Sequence, residues 1–200
     1  MFGSISAIDF DSNPAVAGYS ANRSRSFLMA MTALNRFVAL LLSILSTAMV
    51  VSAQESVFSD PAVDYSFTLP EPKWKLTVRP NATNNSVEFV YGDRTDCHLQ
   101  VRRISVTSDT LLAQIIEEEE QRLQIRPGFV AGREENFNGK LRGAVFNFEY
   151  LASGRNMAGR FYFLRSNETT VYVLRFTGNK EVVRSLRNQL DSIARSFSTS

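Results

Sequence analysis

Residues 141–176 carry three segments in which apolar side chains alternate, separated only by short polar turns, which is the pattern of the middle of an antiparallel sheet. In 144–150, Phe146, Phe148 and Tyr150 alternate with Val145, Asn147 and Glu149. In 157–164, Met157, Gly159, Phe161 and Phe163 oppose Ala158, Arg160, Tyr162 and Leu164, and in 171–176, Tyr172, Leu174 and Phe176 oppose Val171, Val173 and Arg175. Successive side chains of a strand point to opposite faces, so each face receives its own set. The connectors 152–156 and 166–170 are rich in Ser, Gly and Asn and suit hairpins, whereas a parallel crossover needs about a dozen residues. Tyr162, Leu164, Val171 and Val173 make the second set too apolar for water, so both faces should be covered.

Upstream, Tyr65, Phe67 and Leu69 mark a strand ended by Pro70 and Pro72, and Trp74, Leu76 and Val78 mark another. Strands over 86–91 and 98–106 follow, joined through Gly92, Asp93 and Asp96. The period then changes. Leu111, Leu112, Ile115, Ile116 and Leu123 recur at helical spacing, with Ser108 or Asp109 as N-cap and Pro127 and Gly128 as the stop. The acidic residues 117–120 spread around that helix and should form a solvated face. Extended structure resumes over 129–140, with Gly132 and Gly139 at bulges or turns. A closing helix begins at an Asn179 N-cap and lays Val183, Leu186, Leu190, Ile193 and Phe197 in one stripe, opposite Arg184, Arg187, Asp191 and Arg195. The expected fold class is α+β, an antiparallel sheet sandwiched between two main helices, in a single domain over 64–200.

The N-terminal quarter has a different character. Residues 1–26 show no hydrophobic period and read as a disordered extension or a misassigned start. Arg36 precedes an apolar run over 37–51 that exits through Ser52 and Ala53, the layout of a signal peptide over 27–53 cleaved after Ala53. The run is short for a membrane span and is diluted by Ser43, Ser46 and Thr47, so an uncleaved anchor is the lesser alternative. Two accounts of what precedes it stay open: translation from Met29 or Met31, or a two-part organelle transit sequence, against which Asp9 and Asp11 argue. Residues 54–63 read as a tail without period.

Composition removes more functions than it suggests. A net charge of +2 is too small for a dedicated nucleic-acid binder. Cys97 is alone and His98 is the single histidine, so no disulfide forms within the chain and no Cys/His zinc site can be assembled. Asp96, Cys97 and His98 are adjacent, but strand neighbours face opposite ways, which separates thiol from imidazole. No glycine-rich loop joins a strand to a helix, so phosphate has no cradle. The chain is therefore read as a non-enzyme with no cofactor or metal. Three segments, at Asn81, Asn84 and Asn167, match the glycosylation acceptor pattern. Trp74, between prolines and beside Lys73 and Lys75, is either a partner anchor or packing at the sheet edge. Candidate partner-binding residues are Trp74, Arg184, Arg187 and Arg195. Arg160 and Arg175, with Arg102 or Arg103, should project from one sheet face, either as an anion site or paired with the acids of the first helix.

The segment Tyr65-Ser66-Phe67-Thr68-Leu69-Pro70, followed by Trp74, resembles the extended opening hairpin of the PsbP and Mog-type fold family. The segment 171–176, a turn, a helix and then Ile193-Ala194-Arg195-Ser196-Phe197 are similar to the ending of that family's exported bacterial members of the DcrB sort. The resemblance covers roughly 64–198 and implies an antiparallel sheet between helices in a non-catalytic protein. Its relatives include a photosystem II extrinsic subunit, a Ran-binding nuclear factor and exported bacterial proteins, so fold alone does not choose among roles. The expected function is an exported binding or assembly module of the cell envelope, periplasmic or secreted after cleavage near Ala53. Its partner should be an envelope or exported protein, with no nucleic acid and no membrane contact except through an uncleaved signal segment. The alternatives are a thylakoid-lumenal PsbP-like accessory subunit of photosystem II and, behind it, an enzyme of unknown type.

Overall fold

The structure is a computed structural model that describes residues 55–200, apart from Ala82, Arg94 and Thr95. The 1–26 extension, the 27–53 signal peptide and the cleavage point lie outside the described residues. In chain order the elements are β1 (Ser56–Ser59), β2 (Tyr65–Leu69), β3 (Trp74–Val78), β4 (Val87–Tyr91), β5 (Cys97–Ser105) and α1 (Leu112–Leu123). They continue with β6 (Val130–Asn138), β7 (Arg142–Ala152), β8 (Arg155–Asn167), β9 (Thr170–Asn179), α2 (Lys180–Ser185), α3 (Arg187–Ser196) and β10 (Ser198–Thr199). The class is α+β: mostly antiparallel sheet, with three helices among the described residues.

Seven strands form one sheet in the order β3-β4-β5-β9-β8-β7-β6, every pair antiparallel. The hairpins expected over 141–176 are its long strands β7, β8 and β9. Register assigns their side chains. Phe161 lies opposite Phe146 and Arg175, and these belong to the face where Ile115, Ile116 and Leu123 of α1 join Phe146, Phe148, Phe163 and Val173 in one core. Tyr162 lies opposite Val145 and Leu174, on the face whose core takes Leu186, Leu190, Ile193 and Phe197. Each large apolar side chain buried in this way contributes roughly 1.5–3 kcal/mol of transfer free energy.

Four local expectations change. Residues 56–59, read as part of a tail, form β1, which pairs with β2 so that Phe58 meets Phe67 and is buried. A single buried side chain in a strand of four leaves no alternation to detect. β2 itself leaves the main sheet and makes a three-stranded sheet with β1 and β10, closing over the α3 face. The closing helix is two helices. Asn179 caps the first as expected, its side chain accepting from Glu181 N and Val182 N, but the helix ends at Leu186, and Phe197 is already extended. At α1 neither Ser108 nor Asp109 is the cap; the helix starts after Leu111, whose N–H donates to Gln114 Oε1 at 2.9 Å.

Candidate functional site

Where the α2 and α3 helices leave the outer strands of the sheet uncovered, a groove of about 400 Å³ opens over β6, β7 and β8. Lys180, Val183, Arg184 and Arg187 recur at helical spacing and line its helical side. Val130, Ala131 and Gly132 of the edge strand β6 close the far side, and Asn147, Glu149, Ala158, Gly159 and Arg160 floor it. Gly159 is required here: a Cβ would sit 2.1 Å from the Phe148 ring, so only glycine leaves room for that ring on the α1 face beneath the floor.

Arg160 is the chemical centre of the floor, 6% exposed. Its Nε–H donates to Tyr162 Oη at 2.6 Å and to Asp191 Oδ1 at 3.2 Å, one Nη1–H to Asn147 Oδ1 at 2.7 Å and one Nη2–H to Asp191 Oδ1 at 2.8 Å. Tyr162 also donates its hydroxyl to Asp191. Burial works against the guanidinium charge, but the Tyr162 oxygen and the Asp191 carboxylate outweigh it and hold Arg160 above its ordinary range. Burial, aided by Asp191 and opposed by Arg160, pushes the Tyr162 phenol far upward. Around this fixed floor the two rim arginines are held more loosely than the rim lysine. Lys180 Nζ donates to Glu149 at 2.6 Å, while Arg184 reaches Glu181 at 3.6 Å and Arg187 reaches Glu135 at 3.4 Å, both at exposed positions.

Of the candidate residues, Arg184 and Arg187 therefore come together. Trp74 does not join them; it is buried, with its ring edge-on to Tyr91 and Phe176 and Nε1 donating to Gln189 Oε1 at 3.4 Å, so it packs the sheet edge. Arg195 lies elsewhere, its guanidinium 5.9 Å from the centre of the Phe137 ring. Lys180, Asn147 and Glu149 were missed, although Lys180 stands one helical turn before Arg184 and its position was legible from that spacing.

The shared face expected for Arg160 and Arg175 is not formed. Register sets Arg160 opposite Phe176 but Arg175 opposite Phe161, so the two point to opposite faces. Arg175 is held from α1 by Glu119, which is 5% exposed and not part of a solvated face, and which also faces Arg122 at 3.5 Å. Burial first, then the nearby Arg102 and Arg122, pull the Arg175 guanidinium down against the support of Glu119, and its Nε is buried without a partner among the described residues. Arg103 sits on the other face, paired with Asp64 at 3.1 Å.

Cys97 is fully buried, and burial followed by Asp96 pushes its thiol up to about 12. His98 looks the other way, with Nε2 3.1 Å from Glu88 Oε2. The thiol and the imidazole are thus not coupled. Among the described residues no three His, Cys, Asp or Glu side chains gather as a metal site requires, and no helix is long and apolar enough to cross a membrane.

No family model matches the chain, and no match is found among curated proteins. Solved structures do match. A cyanobacterial PsbP, CyanoP from Synechocystis sp. PCC 6803, is 15% identical with a TM-score of 0.52, covering 76% of this chain and 95% of that one. A variant of protein Mog1 is 10% identical with a TM-score of 0.54, covering 73% and 96%. LpqN, involved in cell envelope biogenesis of Mycobacterium tuberculosis, is 18% identical with a TM-score of 0.50, covering 74% and 91%. At such identities the likeness concerns fold alone. What it shows is that residues 55–200 have a PsbP/Mog-type fold.

Proposed function

We propose that the chain is an exported, non-catalytic binding or assembly module of the cell envelope, a helix, sheet and helix sandwich of the DcrB sort, which meets an envelope or exported protein through the groove between α2 and β6. The observation that carries this reading is the groove itself: a concave wall with exposed Arg184 and Arg187 above a floor locked by the Arg160, Asp191 and Tyr162 network. Such a floor holds its shape, and loosely paired rim charges are free to change partners. The sequence adds the signal-peptide layout ending at Ala53, and the fold is shared with a protein of envelope biogenesis. The charged side chains drawn into the two cores, Arg160 with Asp191 and Arg175 with Glu119, are engaged in structural pairs, which argues for binding over turnover.

The test is a photo-crosslinking residue at position 187 in the full chain, expressed in its own cell, with a second at position 126 on the α1 side. A crosslink to an envelope protein from 187 alone, and a mature N-terminus near Gln54, are expected. A cytoplasmic location, or turnover of a generic hydrolase substrate that one alanine change at a polar residue abolishes, overturns the reading. The lumenal photosystem II subunit remains the second reading, favoured by the fold shared with CyanoP; a non-photosynthetic source organism ends it.

A further inference from the structure

We infer that the groove recognises an acidic, extended segment of its protein partner, with partner carboxylates meeting Arg160 on the floor and Lys180, Arg184 and Arg187 along the rim. This deepens the binding-module reading and rests on it.

Three observations support that chemistry. First, the lining holds four cations, Arg160, Lys180, Arg184 and Arg187, against one carboxylate, Glu149, which pairs Lys180; the carboxylates that pair the other three, Asp191, Glu181 and Glu135, lie outside the lining. Cationic donors are thus gathered on the groove wall, with most of their counter-charges outside it. Second, Arg160 has donors to spare. A guanidinium carries five N–H groups; those bonded to Tyr162, Asn147 and Asp191 account for Nε and for one hydrogen on each terminal nitrogen. One N–H on each terminal nitrogen is left without an acceptor among the described residues, in a side chain 6% exposed that lines the groove. A charged nitrogen that keeps a second N–H is a strong donor for an incoming carboxylate oxygen. Third, the intramolecular partners of Arg184 and Arg187 are exposed and 3.6 and 3.4 Å away. Pairs of that kind contribute about 0–1 kcal/mol, so an incoming carboxylate displaces them at little cost.

Shape selects the partner class. Val130, Ala158 and Val183 lie among the charges, giving apolar contacts between polar ones, as an extended chain with alternating side chains requires. A concave wall admits such a segment and excludes a flat bilayer surface, and no exposed aromatic platform is present in the lining for stacking nucleic-acid bases.

The experiment uses the purified full chain and a fluorescein-labelled peptide of alternating Glu and Val, followed by anisotropy, with a Gln-for-Glu peptide as the neutral probe. Saturable binding of the Glu peptide that weakens with salt, and at least tenfold weaker binding of the Gln peptide, are expected. Arg184→Glu with Arg187→Glu should weaken the Glu peptide at least tenfold. Lys73→Glu with Lys75→Glu, the same charge change at the far β3 edge, should leave it within twofold. Urea midpoints of both variants establish that they are folded. Equal losses in the two double variants, equal binding of both peptides, no binding at all, or preferential binding to phosphatidylglycerol vesicles each overturn the proposal. None of these outcomes touches the compartment or the position-187 crosslink, so failure here is distinct from failure of the binding-module reading.

Discussion

The two faces of the main sheet each bury one strand arginine against one helix carboxylate, and they do so to different standards. On the α3 face, Arg160 is surrounded by Asp191, Tyr162 and Asn147, and its charge is favoured. On the α1 face, Arg175 has Glu119 as its carboxylate, a buried Nε with no partner among the described residues, and the repulsion of Arg102 and Arg122. A buried ion pair is stabilising only when its remaining donors and acceptors are satisfied. The α3 arrangement engages every nitrogen of its guanidinium and doubles as the floor of the groove; the α1 arrangement leaves one nitrogen unpartnered among the described residues, and serves to fix the helix on the sheet.

The largest consequence concerns the two carboxylates. Glu119→Ala strips Arg175 of its counter-charge inside the core and should destabilise by about 3–5 kcal/mol in urea unfolding. Asp191→Ala leaves Arg160 with Tyr162 and Asn147 and should cost less, about 1–3 kcal/mol. Equal losses would erase the distinction between the faces. The sharper version replaces whole pairs. Glu119→Leu with Arg175→Met exchanges a poorly satisfied pair for apolar packing and should come within about 1 kcal/mol of the parent or exceed it. Asp191→Leu with Arg160→Met strands the Tyr162 hydroxyl and should remain about 1–3 kcal/mol below it.

That two such pairs exist was only half legible. The central hairpins, both amphipathic stretches and the Asn179 cap followed from period and turn chemistry alone. Arg160 and Arg175 were assigned one face because spacing within a strand says nothing about register between strands, and a shift of one residue moves a side chain to the opposite face. Glu119 was taken as solvated because four consecutive acids conceal which one points inward, although Ile115, Ile116 and Leu123 already mark the inward side. The three-stranded sheet was out of reach: β1 buries one side chain, and β10 is two residues long and pairs with β2 from the far end of the chain. In the groove, Arg184 and Arg187 were found from helical spacing, whereas the Asn147 and Arg160 floor depended on the same unknown register.

The faces also differ in what they hold against alkali. Cys97, Tyr65, Tyr162 and Tyr172 belong to the α3-side core, and burial pushes all four above their ordinary values, Cys97 to about 12 from 9.0. Between those two values the unfolded chain has released the thiol proton and the folded chain keeps it. The unfolded state then binds fewer protons, so stability must fall as pH rises from about 9 towards 12. Each such group contributes a slope of up to about 1.4 kcal/mol per pH unit. Cys97→Ala should lower stability at pH 7 through its small cavity yet flatten the decline above pH 9, which urea midpoints across that range will read. An unchanged slope would mean that the thiol is not shielded by this core.

The smallest effect separates the groove from the scaffold beneath it. Arg184→Ala with Arg187→Ala removes two exposed pairs at 3.6 and 3.4 Å, so the urea midpoint should move by no more than about 0.5 kcal/mol equivalent. Arg122→Ala on the opposite face also removes an exposed guanidinium, but one that faces Glu119 at 3.5 Å and repels Arg175. Its two effects oppose each other, and its midpoint should stay equally close to the parent. The pair of measurements tells the faces apart through binding and not through stability: with both proteins as stable as the parent, loss of the acidic peptide should follow the α2 and α3 arginines alone. If Arg122→Ala weakened the peptide as much, general surface charge would be responsible, and the locked Arg160 floor would have no special part in recognition.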